Sequence, residues 1–130
     1  MTITLNHTIV WCHDQKVSAG FLTDLFGLPP AVHWGPFEIV EVANGVSLDY
    51  HELDGEIPSQ HYAFLVSEDE FDAIFGRIVE RGLDHWADPA KHGASAINHN
   101  DGGRGVYFDD PDGHLLEIIT RPYGSGGSSE

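Results

Sequence analysis

Basic residues are scarce in this chain of 130 residues: six Lys and Arg stand against 21 Asp and Glu, for a formal charge of −15. That balance argues against nucleic acid and against anionic membrane surfaces as partners, because both need basic patches. Cysteine is scarcer still. The single Cys12 excludes an internal disulfide framework. There is no apolar run near the roughly 20 residues that cross a bilayer. Met1 is followed by Thr-Ile-Thr rather than by a basic region and an apolar core. The expectation is a cytoplasmic protein.

What the chain does have is enough apolar matter for a core. Hydrophobic residues make up 41% and aromatic residues 11%, which places it among folded domains rather than disordered ones. Its length suits a single domain, expected over residues 1–123. The remainder, 124–130, is rich in Gly and Ser and reads as a flexible tail.

The local signals alternate in kind. Ile3 to Trp11 reads as a strand. Asp14 caps a helix whose apolar positions Val17, Phe21, Leu22, Leu25 and Phe26 fall at helical spacing, with Gly27 at its end and Pro29-Pro30 beyond. Strand-like runs follow at Val32 to Trp34, Phe37 to Val42 and Val46 to His51, with Asn44-Gly45 as a hairpin signal. After a polar connection from Leu53 to Ser59, the order repeats. His61 to Val66 reads as a strand. Ser67 and Glu70 form a capping box for a helix with the stripe Phe71, Ile74, Phe75, Ile78 and Val79, closed by Gly82. A short strand is expected at Ala94 to Asn98, then strands at Gly105 to Phe108 and Leu115 to Thr120.

The two halves, about 1–53 and 59–123, match in detail. His7 corresponds to His61, Asn44-Gly45 to Asp112-Gly113, and Asp49 to Glu117. Glu117 lies in the middle of an apolar strand, and an unpaired charge there would be costly to bury. It needs a cation, a metal or an opening to water. If a pseudo-twofold relates the halves, His7, His61, Asp49 and Glu117 converge. Two imidazoles and one or two carboxylates form a typical divalent-metal site. Each residue also has a plainer reading: a strand His as a hydrogen-bonded structural group, Glu117 as a carboxylate at a strand edge. Ser47, Asp49 and His51 share one strand face. The other histidines, His13, His33, His51, His85, His92, His99 and His114, read mostly as solvated surface residues.

Three segments carry a family resemblance: Leu5-Asn6-His7-Thr8-Ile9-Val10, Gln60-His61-Tyr62-Ala63-Phe64-Leu65 and Asp110-Pro111-Asp112-Gly113-His114-Leu115-Leu116-Glu117. On these the chain resembles the vicinal oxygen chelate superfamily, also called the glyoxalase/bleomycin resistance/dioxygenase superfamily. The resemblance implies an α+β fold of two βαβββ modules, their mixed sheet curled around a metal cavity with the helices outside. It implies His7, His61 and Glu117 as metal ligands. Asp49 stands where four-ligand glyoxalase I members resemble a Glu, or Leu48 does if the alignment slips by one. Tyr107, ten residues before Glu117, stands where many members direct a Tyr into the cavity. Its plainer reading is a core aromatic. His99 and Asn98 lie near the place of a further dioxygenase His. Antibiotic-sequestering members generally lack the triad.

The resemblance therefore implies a divalent-metal-dependent enzyme acting on a small oxygenated organic substrate, by extradiol dioxygenase-type or glyoxalase I-type chemistry. Fe, Mn, Zn, Ni and Co all suit the ligands. Asp49 and Tyr107 are the candidate catalytic residues beside the metal. The alternative is a drug- or metabolite-binding, bleomycin resistance-like protein without catalysis, with Trp11, Trp34, Phe37 and Tyr107 stacking on the ligand. A catalytically silent relative is a third reading. A homodimer is expected, with the metal site either within one chain or between two.

Overall fold

The computed structural model describes residues 2–126. The chain forms two compact units, 1–58 and 59–130. The first contains β1 (His7–Cys12), α1 (Gln15–Phe26), β2 (Val32–Trp34), β3 (Phe37–Glu41) and β4 (Ser47–Glu52). The second contains β5 (His61–Leu65), α2 (Glu68–Glu80), β6 (His85–Trp86), β7 (Gly105–Asp109) and β8 (Leu115–Ile119). Each is a βαβββ module with one four-stranded mixed sheet, in the orders β1-β4-β3-β2 and β5-β8-β7-β6. The α+β reading is thus observed. Of the expected tail, residues 127–130 lie outside the described residues, and Pro122 to Ser125 form a turn closed by the Ser125 amide on the Pro122 carbonyl.

Local chemistry starts and stops the helices as the sequence suggests. Asp14 accepts from the amides of Lys16 and Val17. Gly27 takes φ 69° and the Leu28 amide reaches back to the Thr23 carbonyl, the left-handed ending that glycine permits. Both arms of the Ser67–Glu70 capping box form, at 3.1 and 2.8 Å. The buried face of α1 differs from the expected stripe. It consists of Ser18, Ala19, Leu22, Thr23 and Leu25, while Val17 is exposed. Small residues let this helix approach β3 and β4 closely. In α2, Phe71, Ile74 and Ile78 are buried but Val79 is not.

Strand alternation divides each sheet into two faces. In the first unit Val10, Cys12, Val40, Leu48 and Tyr50 are core, and in the second Val106, Phe108, Leu116 and Ile118. Burial of each large side chain is worth about 1.5–3 kcal/mol. The opposite face of the second sheet carries His61, Tyr107 and Glu117.

The internal repeat is exact in register. His7 pairs with Ser47 and Ile9 with Asp49 across β1 and β4; His61 pairs with Leu115 and Ala63 with Glu117 across β5 and β8. The turns before β4 and β8 also agree. The Gly45 amide bonds the Val42 carbonyl and the Gly113 amide the Asp110 carbonyl, at 3.1 Å in both. The second module is longer, and its extra residues lie between β6 and β7. There the expected strand at Ala94 to Asn98 is only two isolated bridges, Trp86 to Ala94 and Asn98 to Gly105. The paired strand is the shorter β6, which the sequence reading did not assign. Nor is His114 a surface residue: it is fully buried, and its Nδ1 accepts the Gln60 amide at 2.9 Å, tying the turn to the start of β5.

Candidate metal centre

The parallel pairing of β5 with β8 sets Ala63 beside Glu117, and the antiparallel pairing of β7 with β8 sets Tyr107 on its other side. Glu117 is fully buried. Its Oε1 stands 3.0 Å from His61 Nε2. The other imidazole nitrogen, Nδ1, stands 2.9 Å from the Leu115 carbonyl. A carbonyl only accepts, so Nδ1 carries a proton. Nε2 therefore faces a carboxylate oxygen in one of three ways. Either Nε2 is protonated too, or the carboxyl donates to it, or both atoms share a cation.

The second carboxylate oxygen is held as well. Tyr123 donates its hydroxyl to Glu117 Oε2. Having given that proton, Tyr123 accepts from the Tyr107 hydroxyl, 3.0 Å away. Two phenols thus form a directed chain ending on the carboxylate. Desolvation of the hydroxyl is the main cause that pushes the Tyr107 phenol up, and burial followed by the bond to Glu117 pushes Tyr123 well above the ordinary phenol range. Both act as hydrogen-bond donors at any physiological pH. The Tyr107 ring also stacks on the His61 ring at 5.9 Å and 26°. Tyr107 is buried and lies beside the Glu117 strand position.

In the other unit, His7 is exposed and its Nδ1 stands 2.7 Å from Asn6 Oδ1. Asp49 is buried and accepts the Ser47 hydroxyl at 2.8 Å. The strand registers decide its alignment. Asp49, not Leu48, is the counterpart of Glu117, because each lies two residues after the partner of the module's first histidine. Leu48 belongs to the core face. Trp11 and Phe37 both pack against His51, at 4.9 and 5.2 Å, and Trp34 is exposed. His99 is exposed, while Asn98 braces its loop by donating to the Ala87 carbonyl at 2.8 Å.

His61, Glu117 and Tyr107 are therefore brought together, with His7 and Asp49 in the first unit. Among the described residues, no group of three or more His, Cys, Asp or Glu stands ready to hold a metal ion. The chemistry of the His61–Glu117 pair nevertheless fits one. The tautomer of His61 is fixed by its carbonyl partner, as outer partners fix ligating histidines. Imidazole nitrogen and carboxylate oxygen are donor types that would hold a divalent ion, and the two atoms lie 3.0 Å apart. Tyr123 was missed by the sequence reading. Its stretch has linker composition, and nothing in it signals a bond back to β8.

Comparison with known proteins agrees with this fold. A family model described as the Glyoxalase/Bleomycin resistance protein/Dioxygenase superfamily matches residues 4–118. A solved structure named Oxidase ChaP-H2 is 64% identical, covering 98% of this chain and 100% of that one, with a TM-score of 0.95. The glutathione transferase FosA of Serratia marcescens is 32% identical over 124 residues, covering 91% of this chain and 81% of that protein. A mutant of the fosfomycin resistance protein FosX of Listeria monocytogenes, solved with Mn(II) and 1S,2S-dihydroxypropylphosphonic acid, is 21% identical. It covers 94% of this chain and 95% of that one at a TM-score of 0.70, a likeness of fold. Among the described residues no helix is long and apolar enough to cross a membrane.

Proposed function

We propose that this chain, which belongs to the Glyoxalase/Bleomycin resistance protein/Dioxygenase superfamily, is a divalent-metal-dependent oxidase of a small organic substrate that offers two adjacent oxygens. The observation that carries the reading is the pair His61 Nε2 and Glu117 Oε1, 3.0 Å apart with the far imidazole nitrogen already committed to a carbonyl. His7 is the third ligand of the proposal, on its repeat equivalence with His61. Oxidation is preferred to thiol transfer because the relative named as an oxidase is 64% identical, against 32% for the glutathione transferase.

A bound divalent ion supplies Lewis-acid stabilisation to adjacent substrate oxygens. The chain's own residues do the rest. The Leu115 carbonyl holds His61 in the tautomer that points Nε2 at the site. Tyr123 takes one oxygen of Glu117 and leaves the other for ligation. Tyr107 stacks on the His61 ring, and its hydroxyl orders Tyr123.

A second reading, glyoxalase-type isomerisation, is favoured by the position of Asp49 as the counterpart of Glu117, which would make it a fourth ligand or a base. Asp49→Asn separates the two. The oxidase reading expects unchanged metal affinity, and the isomerase reading expects its loss. The test of the function is metal-loaded protein offered catechols with oxygen uptake recorded, the methylglyoxal–glutathione adduct, and glutathione with fosfomycin. Oxygen uptake that disappears in His61→Ala supports the proposal. Turnover only of either glutathione pair overturns it. Metal-independent binding of an aromatic ligand, unchanged in His61→Ala, favours the sequestering alternative.

A further inference from the structure

Resting on that metal reading, we infer that Tyr123 is a positioning residue that holds Glu117 to ligation through a single oxygen. A carboxylate that ligates a metal can offer one oxygen or both, and the two modes differ in how many coordination positions remain for substrate. Here the choice is made by the protein. Glu117 is fully buried, so water does not compete for its oxygens. Oε1 faces His61 Nε2, and Oε2 receives the Tyr123 hydroxyl. With Oε2 committed to a donor, Oε1 is the ligating atom.

The hydroxyl is itself held in two ways. The Tyr107 hydroxyl donates to it at 3.0 Å, so its own proton is directed at the carboxylate. The backbone carrying it is bent by a turn in which the Ser125 amide and hydroxyl both bond the Pro122 carbonyl, at 3.1 and 2.6 Å. Gly124 in that turn takes φ 77°, where a side chain is strained. The ring of Tyr123 is 61% exposed, so it adds little to the core, and the contact its hydroxyl makes is the reason for its placement. Tyr123 also lies beyond the residues that match the family model, which end at 118.

Tyr107 bonds the Tyr123 hydroxyl at 3.0 Å and also interacts with the Glu117 carboxylate itself. The experiment measures Mn(II) dissociation constants by chelator competition, and the absorption spectrum of the Co(II)-loaded protein, for the wild type, Tyr123→Phe, Tyr107→Phe and Glu117→Ala. The expected results are a 10–100-fold weaker Mn(II) affinity in Tyr123→Phe, the range for losing an outer partner of a ligand, with an altered Co(II) spectrum. Tyr107→Phe should weaken affinity less than Tyr123→Phe does. If the wild type binds Mn(II) and Glu117→Ala does not, while Tyr123→Phe matches the wild type in affinity and spectrum, the inference fails and the metal reading stands. If the wild type binds neither ion, the metal reading falls and the inference with it.

Discussion

Replacing Glu117 with Gln should stabilise the metal-free protein and remove its response to metal. Glu117 is a fully buried carboxylate, and removing such an ion from water costs several kcal/mol even after relaxation. Against this stand the contacts from His61 and Tyr123, each worth about 1.5–3 kcal/mol to a charged acceptor. The two sides nearly cancel. An amide of the same shape keeps both contacts without the charge. Its oxygen accepts from Tyr123, and its NH2 donates to His61 Nε2, whose partner nitrogen already holds the proton. The desolvation cost then largely disappears, and the metal-free variant should gain about 1–2 kcal/mol, or roughly 3–8 °C in melting temperature at this chain length. With ion present the order reverses. At a free Mn(II) concentration of 100 times the dissociation constant the wild type gains about 2.7 kcal/mol, while Glu117→Gln, lacking the anionic ligand, gains little. Thermal melts and urea titrations, each with chelator and with Mn(II), read both halves. If the metal-free variant loses more than about 1 kcal/mol, the carboxylate is a structural partner of His61 and the argument from burial is wrong.

Other consequences follow from the same contacts. Burial pushes the Asp110 carboxyl above its ordinary value, against the pull of the His114 and Asp112 amides. Because the folded value is the higher one, its contribution is complete below about pH 4, the unfolded value, and is lost as pH rises through the folded value. Asp110→Asn, which still accepts both amides, should gain on the wild type in urea titrations as pH rises from 4 to 8, and a constant gap would contradict this. Ser67→Ala should cost about 1 kcal/mol, measured the same way, because both arms of the capping box form. Protons compete with metal for imidazole nitrogen, so Mn(II) affinity should weaken as pH is lowered from about 8 to 5. A flat affinity over that range would count against histidine ligands.

The parts of the fold legible in the sequence were those with local causes. Asp14, Gly27 and the Ser67–Glu70 pair set helix ends through contacts within a few residues, and Asn44-Gly45 and Asp112-Gly113 set turns with matching hydrogen bonds. The repeat was legible for the same reason. What escaped the sequence depends on partners far along the chain. His114 is buried and accepts the amide of Gln60, 54 residues earlier and just before β5. Tyr123 matters because a turn of linker composition returns its hydroxyl to β8. β6 has two residues, too few for a periodic signal, and Ala94 to Asn98, though apolar enough for a strand, is held by bridges and by Asn98. At the candidate site, the pairing of His61 with Glu117 was expected, and the register removed the ambiguity between Leu48 and Asp49.

The central claim is that His7, His61 and Glu117 bind a divalent ion. Its most direct test is the metal content of protein purified without chelator, and of His7→Ala, His61→Ala and Glu117→Ala beside it, after equilibration with Mn(II) or Fe(II) and removal of loose ion. The account predicts an equimolar ion in the wild type and its loss in each of the three variants. A wild type that retains no ion, or retention undiminished in all three variants, would contradict it.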